Sequence, residues 1–232
     1  MTRPFYAAQE AFAKAEPQLP LKLHFDNAVI LARHIKKGDE PDIFVSPGET
    51  EIGNLVKQGL IDPDSVTTIG TFSIALIAPA ANPAKIRSLE DLTRPEVKRI
   101  ALAAPEENSI GEYARQSLRK LGLWDKIQGK LTLREHALDS VQLVAGNRVE
   151  AAIVYETCPL ESAPEKAPES KVKIIAQLPP DSHPPVRVQA GIHVRSPNPK
   201  AARKFLDFLL TPEVQKRFEE TGLPGVANLD SR

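Results

Sequence analysis

Apolar and polar positions recur along this chain with two periods, and each change of period marks an element. Phe5, Ala8, Phe12 and Ala15 repeat at helical spacing, which predicts a helix over residues 4–15 with Pro4 in its first turn. Leu19 to Phe25 then alternates strictly (LKLHF), the pattern of a half-buried strand. A helix is predicted over Ala28–Lys37, ended by Gly38, then a short apolar strand over Asp42–Ser46. Next come a helix over Glu49–Gln58, stopped by Gly59, and a longer strand, Ile69–Ala78, ended by Pro79. Strands alternating with helices predict parallel pairing and an α/β fold.

The second half continues the alternation. Strands are predicted near Lys130–Arg134 and over Arg99–Ala104, Ala151–Tyr155, Lys173–Leu178 and Val186–Val194. Helices are predicted over Ser109–Leu121, Leu138–Ala145 and Pro199–Leu210, and after Thr211-Pro212 up to Gly222. Pro159–Ser170 (PLESAPEKAPES) reads as a surface loop. Two proline-rich connectors, at 80–84 and at Ser196–Pro199, flank a middle segment of about a hundred residues, the length of one domain. The predicted organisation is therefore a discontinuous lobe I, residues 1–80 plus 196–232, and a lobe II, residues 81–195. Small ligands sit by preference at such lobe boundaries.

The stretch from 88 to 126 carries the most chemistry. A short strand ends at Pro105, a polar loop follows, and a helix opens at Ser109-Ile110-Gly111 and closes before Gly122, where a left-handed cap is expected. The first N–H groups of such a helix have no internal partner and stabilise an oxyanion. Taken alone, this is the strand–loop–helix unit of any α/β protein. Two more helix starts, at Asn27-Ala28 and His136-Ala137, offer the same groups, and Tyr155 ends a strand where its phenol either donates to a ligand or packs with its hydroxyl in water.

Composition narrows the function classes. Thirty basic residues balance thirty acidic ones. That neutrality argues against a nucleic-acid or membrane-surface partner, which needs a basic face. The single Cys158 rules out an internal disulfide. The five histidines are scattered without metal-ligand spacing, and there is no nucleophile elbow, Walker loop or dinucleotide fingerprint. No cofactor, metal or catalytic residue is expected; Asp26 and Cys158 are the residues an enzyme would have to use. MTRPFYAAQEAFAKAEPQ lacks the apolar core of a signal peptide.

Leu31-Ala-Arg33, Pro41-Asp-Ile-Phe-Val-Ser46, Gly59-Leu-Ile-Asp62 and Ser88-Leu-Glu-Asp-Leu92 stand in a characteristic order. Pro105-Glu106, Gly111, Tyr113-Ala114, Trp124-Asp125, Ile153-Val-Tyr155, Pro180-Asp-Ser-His183 and Phe205-Leu-Asp-Phe-Leu209 continue it. In this order and spacing the chain resembles the periplasmic molybdate/tungstate-binding proteins of ABC importers. The resemblance implies a two-lobed type II periplasmic-binding fold, two mixed sheets flanked by helices with a hinge and ligand cleft between them. It implies capture of molybdate or tungstate without a covalent step, a membrane permease as partner, a monomer, and a periplasmic location. Carried over by position, it implies an oxyanion site of Asn27, Ala28, Ser109, Ile110, Ala137 and Tyr155. Two departures stand out: the family reads Phe-x-Ser-Ser where this chain reads Phe25-Asp26-Asn27-Ala28, and Met1 aligns just past the family's first strand and its serine. The expectation is that the native start lies upstream; a chain starting at Met1 would stay in the cytoplasm. The alternative to oxyanion capture is a binding protein or intracellular sensor for another small ligand on the same fold.

Overall fold

Proline and glycine punctuate the helices of this chain. The computed structural model describes residues 1–159 and 171–226. Among them are α1 (Thr2–Ala15), α2 (Ala28–Lys36), α3 (Thr50–Lys57), α4 (Ser109–Lys120) and the one-turn α5 (Trp124–Ile127). Then follow α6 (Ala137–Ala145), α7 (Pro199–Leu209) and α8 (Pro212–Thr221). The strands are β1 (Ile43–Pro47), β2 (Thr67–Phe72), β3 (Ile74–Pro79), β4 (Ile100–Ala103), β5 (Leu131–Arg134), β6 (Ala151–Tyr155), β7 (Val172–Gln177) and β8 (Val186–Ile192). Past α4, Gly122 takes a φ of +67°, a left-handed conformation that costs glycine little and halts the helix there. No described helix is long and apolar enough to cross a membrane.

The chain forms two units. Unit 1 comprises Met1–Phe72 and Pro185–Arg232, and unit 2 comprises Ser73–Pro184. Unit 1 holds a three-stranded sheet in the order β1-β8-β2, with both pairings antiparallel. Aromatic packing fixes its helices. Phe12 of α1 meets Phe205 and Phe208 of α7 edge-on at 5.0 and 5.1 Å, and Phe5 lies 5.8 Å from Phe218 of α8. A second cluster joins Ala32 and Ile35 of α2, Phe44 of β1, and Ile52 and Leu55 of α3. Burying each of these phenylalanine, isoleucine and leucine side chains contributes about 1.5–3 kcal/mol.

Unit 2 holds a five-stranded sheet in the order β5-β4-β6-β3-β7. β4 runs parallel to β5 and β6, whereas β3 runs antiparallel to β6 and β7. Every residue of β3, β4 and β6 is buried, which is why these strands read as unbroken apolar runs rather than alternating ones.

Three sequence expectations change. Ile69–Ala78 is not one strand: it breaks at Ser73, where the chain passes from the sheet of unit 1 to that of unit 2. The crossings therefore fall at Phe72–Ser73 and Pro184–Pro185 rather than at the proline-rich connectors expected near 80 and 196. The reason is pairing: β3 bonds to β6 and β7 inside unit 2, and β8 bonds to β1 and β2 inside unit 1. Leu19–Phe25 forms no ladder, so the sheet of unit 1 is antiparallel and only that of unit 2 is mixed. The predicted Pro159–Ser170 loop, apart from its first residue, lies outside the described residues.

Candidate functional site

Parallel pairing within unit 2 gathers its candidate residues. β4, β5 and β6 point the same way, so their carboxyl ends share one edge of the sheet. α4 starts just beyond β4, α6 starts just beyond β5, and Tyr155 is the last residue of β6. The edge outside the carboxyl ends of parallel strands is where open α/β sheets take their ligands. Ser109, Ile110, Ala137 and Tyr155 thus come to one place, although 46 positions of sequence separate the first from the last.

Two features bring α4 close to this edge. Gly111 packs so tightly that a Cβ there would lie 2.2 Å from the Ala103 carbonyl oxygen and 2.9 Å from the carbonyl carbons of Ala103 and Ala104. Only glycine lets the first turn of α4 approach the end of β4 in this way. Asn108 then ties two helix starts together. Its Oδ1 accepts from the Ile110 N–H at 3.3 Å, capping α4, while its Nδ2 donates to the Glu135 carbonyl at 2.9 Å in the loop leading to α6. The Ala104 N–H donates to the Arg134 carbonyl at 2.7 Å and prolongs the same parallel ladder. Asn108 was missed in the sequence reading; the signal was an asparagine directly ahead of Ser109 at the N-cap position.

The two helix starts differ. The Ile110 N–H already bonds to the Asn108 cap, whereas His136 gives α6 no side-chain cap. The first N–H groups of α6 therefore keep more of the unsatisfied character that attracts an anion. Ser109 and Tyr155 are buried, at 8% exposure each. Arg115, the cation nearest to Ser109 in sequence, is paired to Glu106 and Glu112. Burial opposes its charge, but those two carboxylates outweigh it and raise its pKa above the ordinary arginine value. Arg115 is thus a paired cation at the start of α4.

Asn27 and Ala28 belong to unit 1, at the start of α2. Asn27 Oδ1 accepts from the Val29 N–H at 2.9 Å, and the Asn27 N–H donates to Asp26 Oδ1 at 2.7 Å. The Asp26 carboxylate thus accepts from the backbone N–H that a ligand was expected to use.

Other polar residues of the chain are engaged in local contacts. Asp42 accepts from Ser196 Oγ and the Asn198 N–H, stapling the start of β1 to the start of α7. His34 faces Asp39 at 3.9 Å, and His183 Nδ1 meets the Pro184 carbonyl. Cys158 is buried. Among the described residues no group of His, Cys, Asp or Glu could hold a metal ion.

Residues 1–223 match the family described as bacterial extracellular solute-binding protein. The chain belongs to that family. As a solute-binding protein it is 28% identical over 213 residues to the molybdate-binding protein ModA of Escherichia coli, a match spanning 90% of this chain and 80% of ModA. Its fold is shared with solved structures of type II periplasmic-binding proteins. The Azotobacter vinelandii periplasmic molybdate-binding protein superposes with a TM-score of 0.78 at 18% identity, covering 95% of this chain and 93% of that one. The sulfate-binding protein SubI of Mycobacterium tuberculosis gives 0.81 at 19% identity, covering 97% and 83%.

Proposed function

We propose that this solute-binding protein captures a tetrahedral oxyanion, molybdate or tungstate, and delivers it to the permease of an ABC importer, acting as a monomer and without covalent chemistry. The observation that carries the reading is the convergence of the α4 and α6 N-termini and Tyr155 at one edge of the unit 2 sheet. In this reading Ser109, Ile110 and Ala137 present backbone N–H groups, that of Ile110 shared between its long bond to the Asn108 cap and the ion, and Tyr155 a phenolic O–H. Fixed neutral dipoles suit a fully deprotonated dianion, because an anion that must itself donate a proton would meet only donors. Discrimination against the smaller sulfate then rests on the spacing of those donors. The similarity to ModA supports the choice of ion. In unit 1, the start of α2 at Asn27 and Ala28 is proposed as a donor group of the same kind.

Thermal melts test this reading. A ligand that binds only the folded state at a hundred times its Kd stabilises by about 2.7 kcal/mol. For a chain of this size that raises Tm by about 5–10 °C. Molybdate or tungstate is expected to give that rise, with sulfate and phosphate giving less. Equal shifts from all four ions would remove the choice of molybdate or tungstate, and no shift from any would remove the oxyanion assignment.

Asp26 favours a second reading, because its charge beside the start of α2 disfavours a dianion there. A less charged ligand would be marked by Asp26→Asn weakening its binding. For molybdate the same change is expected to strengthen it.

A further inference from the structure

Serine is an unexpected residue on the packed face of a helix, because alanine has the better helix propensity and carries no polar atom to bury. Among the described residues, the hydroxyls of Ser46, Thr71 and Ser140 are buried without a hydrogen-bond partner. Ser46 and Thr71 belong to strands of unit 1. Ser140 belongs to unit 2, as the fourth residue of α6, the helix whose start is proposed above as an oxyanion donor. With Val141 and Val144 it forms the buried face of α6, which packs on β3, β4 and β6. It has no exposed surface. A serine inside a helix often returns its hydrogen to the carbonyl four residues back. That carbonyl belongs to His136; it accepts the Asp139 N–H at 3.2 Å, and Ser140 Oγ makes no bond to it.

Helix geometry gives the hydroxyl its direction. Each Cα–Cβ bond of an α-helix tilts toward the N-terminus. Ser140 therefore sends its side chain back along the sheet-facing side of α6 toward the helix start. That end lies at the carboxyl edge of β4, β5 and β6, where Tyr155 also ends its strand. His136 gives the start no side-chain cap, and the N–H groups of Ala137 and Leu138 make no hydrogen bond among the described residues. Ala137 and Leu138 are half-buried, so the helix start is open where Ser140 is not. Asp139, the acid of this first turn, is also half-exposed and lies off the buried face.

We propose that Ser140 Oγ is a further donor to the bound oxyanion, an inference that rests on the oxyanion reading of this edge. The hydroxyl and the first N–H groups of α6 converge on one oxygen of the ion, and the ion supplies the acceptor that Ser140 lacks within the chain. Burial then has a use, since a hydrogen bond to a charged group is stronger where water does not compete for it.

The test reads stability and affinity, which this role moves in opposite directions. Ser140→Ala removes a hydroxyl with no partner in the chain, so Tm without added ion is expected to hold or to rise by about 2–4 °C. Its Kd for molybdate, from isothermal titration, is expected to rise about tenfold or more. Ser140→Cys fills the space with a much weaker donor and is expected to show the same loss of affinity. A hydroxyl that only fastens α6 would give the reverse, a lower Tm with unchanged affinity, and that result would overturn the proposal. Molybdate bound as tightly by Ser140→Ala as by the parent would overturn it too, and would leave the oxyanion reading standing. A loss confined to Ser140→Ala and absent from Ser140→Cys would also overturn it, because the effect would belong to the vacated space. No binding of molybdate, tungstate, sulfate or phosphate by the parent would remove the oxyanion reading itself, and this inference with it.

Discussion

Gly111→Ala is the substitution by which the geometry of the candidate site is most exposed to test. The added methyl would sit 2.2 Å from the Ala103 carbonyl oxygen, with two carbonyl carbons at 2.9 Å. All three are main-chain atoms at the end of β4, so no side chain can swing aside. Restoring ordinary contact requires α4 to move off the sheet by about 1 Å, an overpacking that costs about 3 kcal/mol, the upper part of the usual range. Alanine's better helix propensity offsets about 1 kcal/mol. The net loss of about 2 kcal/mol lowers Tm by about 4–8 °C for a chain of this length. The same displacement carries the Ser109 and Ile110 N–H groups away from any bound anion. Losing one hydrogen bond to a charged group costs about 1.5–3 kcal/mol, or roughly 10–100-fold in Kd. Calorimetric melts and titration with molybdate read the two effects separately. A variant that melts within about 1 °C of the parent would refute the packing argument. A variant that melts early but binds with unchanged affinity would remove α4 from the ligand site.

Further outcomes follow from individual contacts. Asn108→Ala loses both the cap on α4 and the bond to Glu135, and is expected to cost about 1–2 kcal/mol in chemical denaturation and to weaken molybdate binding. Asn108→Asp keeps an acceptor for Ile110 but loses the donor to Glu135, so it should recover stability more fully than affinity. Tyr155→Phe is expected to reduce affinity by about tenfold or more, read by titration with molybdate. His193 is buried, and desolvation, with Arg195 adding to it, holds its pKa below the ordinary histidine value; Arg195 N–H also donates to its Nδ1. Since the folded pKa is depressed, the unfolded chain binds the proton first. Its contribution to stability is therefore full above about pH 6.5 and is lost as pH falls from there toward the folded pKa. His193→Gln is expected to flatten that limb of the stability–pH curve, which denaturant titrations at several pH values would show.

Much of the fold was legible because its punctuation is local. Gly122 and Gly222 ended helices, and Pro212 opened one, through conformational preferences that need no tertiary context. Partnership was not legible. Leu19–Phe25 has the alternation of a strand, but a ladder needs a neighbour, and what lies beside it in unit 1 is a groove. The break at Ser73 was hidden because β2 and β3 are both apolar and only one residue parts them. The proline-rich stretch after Pro79 resembles a connector in composition, yet Asn82 holds it as a local turn inside unit 2 by bonding to Ile86 at both main-chain groups. At the candidate site, Ser109 and Ala137 could be named from helix starts alone. Asn108 could not be given its linking role, because that role depends on Glu135, a residue 27 positions away whose proximity comes from parallel pairing.

Isothermal titration of the purified chain with molybdate, tungstate, sulfate and phosphate at neutral pH tests the central claim most directly. The account expects one ion per chain, tight binding of molybdate or tungstate, and sulfate weaker by at least about a hundredfold, the equivalent of roughly 2.7 kcal/mol. Sulfate or phosphate binding as tightly as molybdate, or no heat from any of the four, would contradict it.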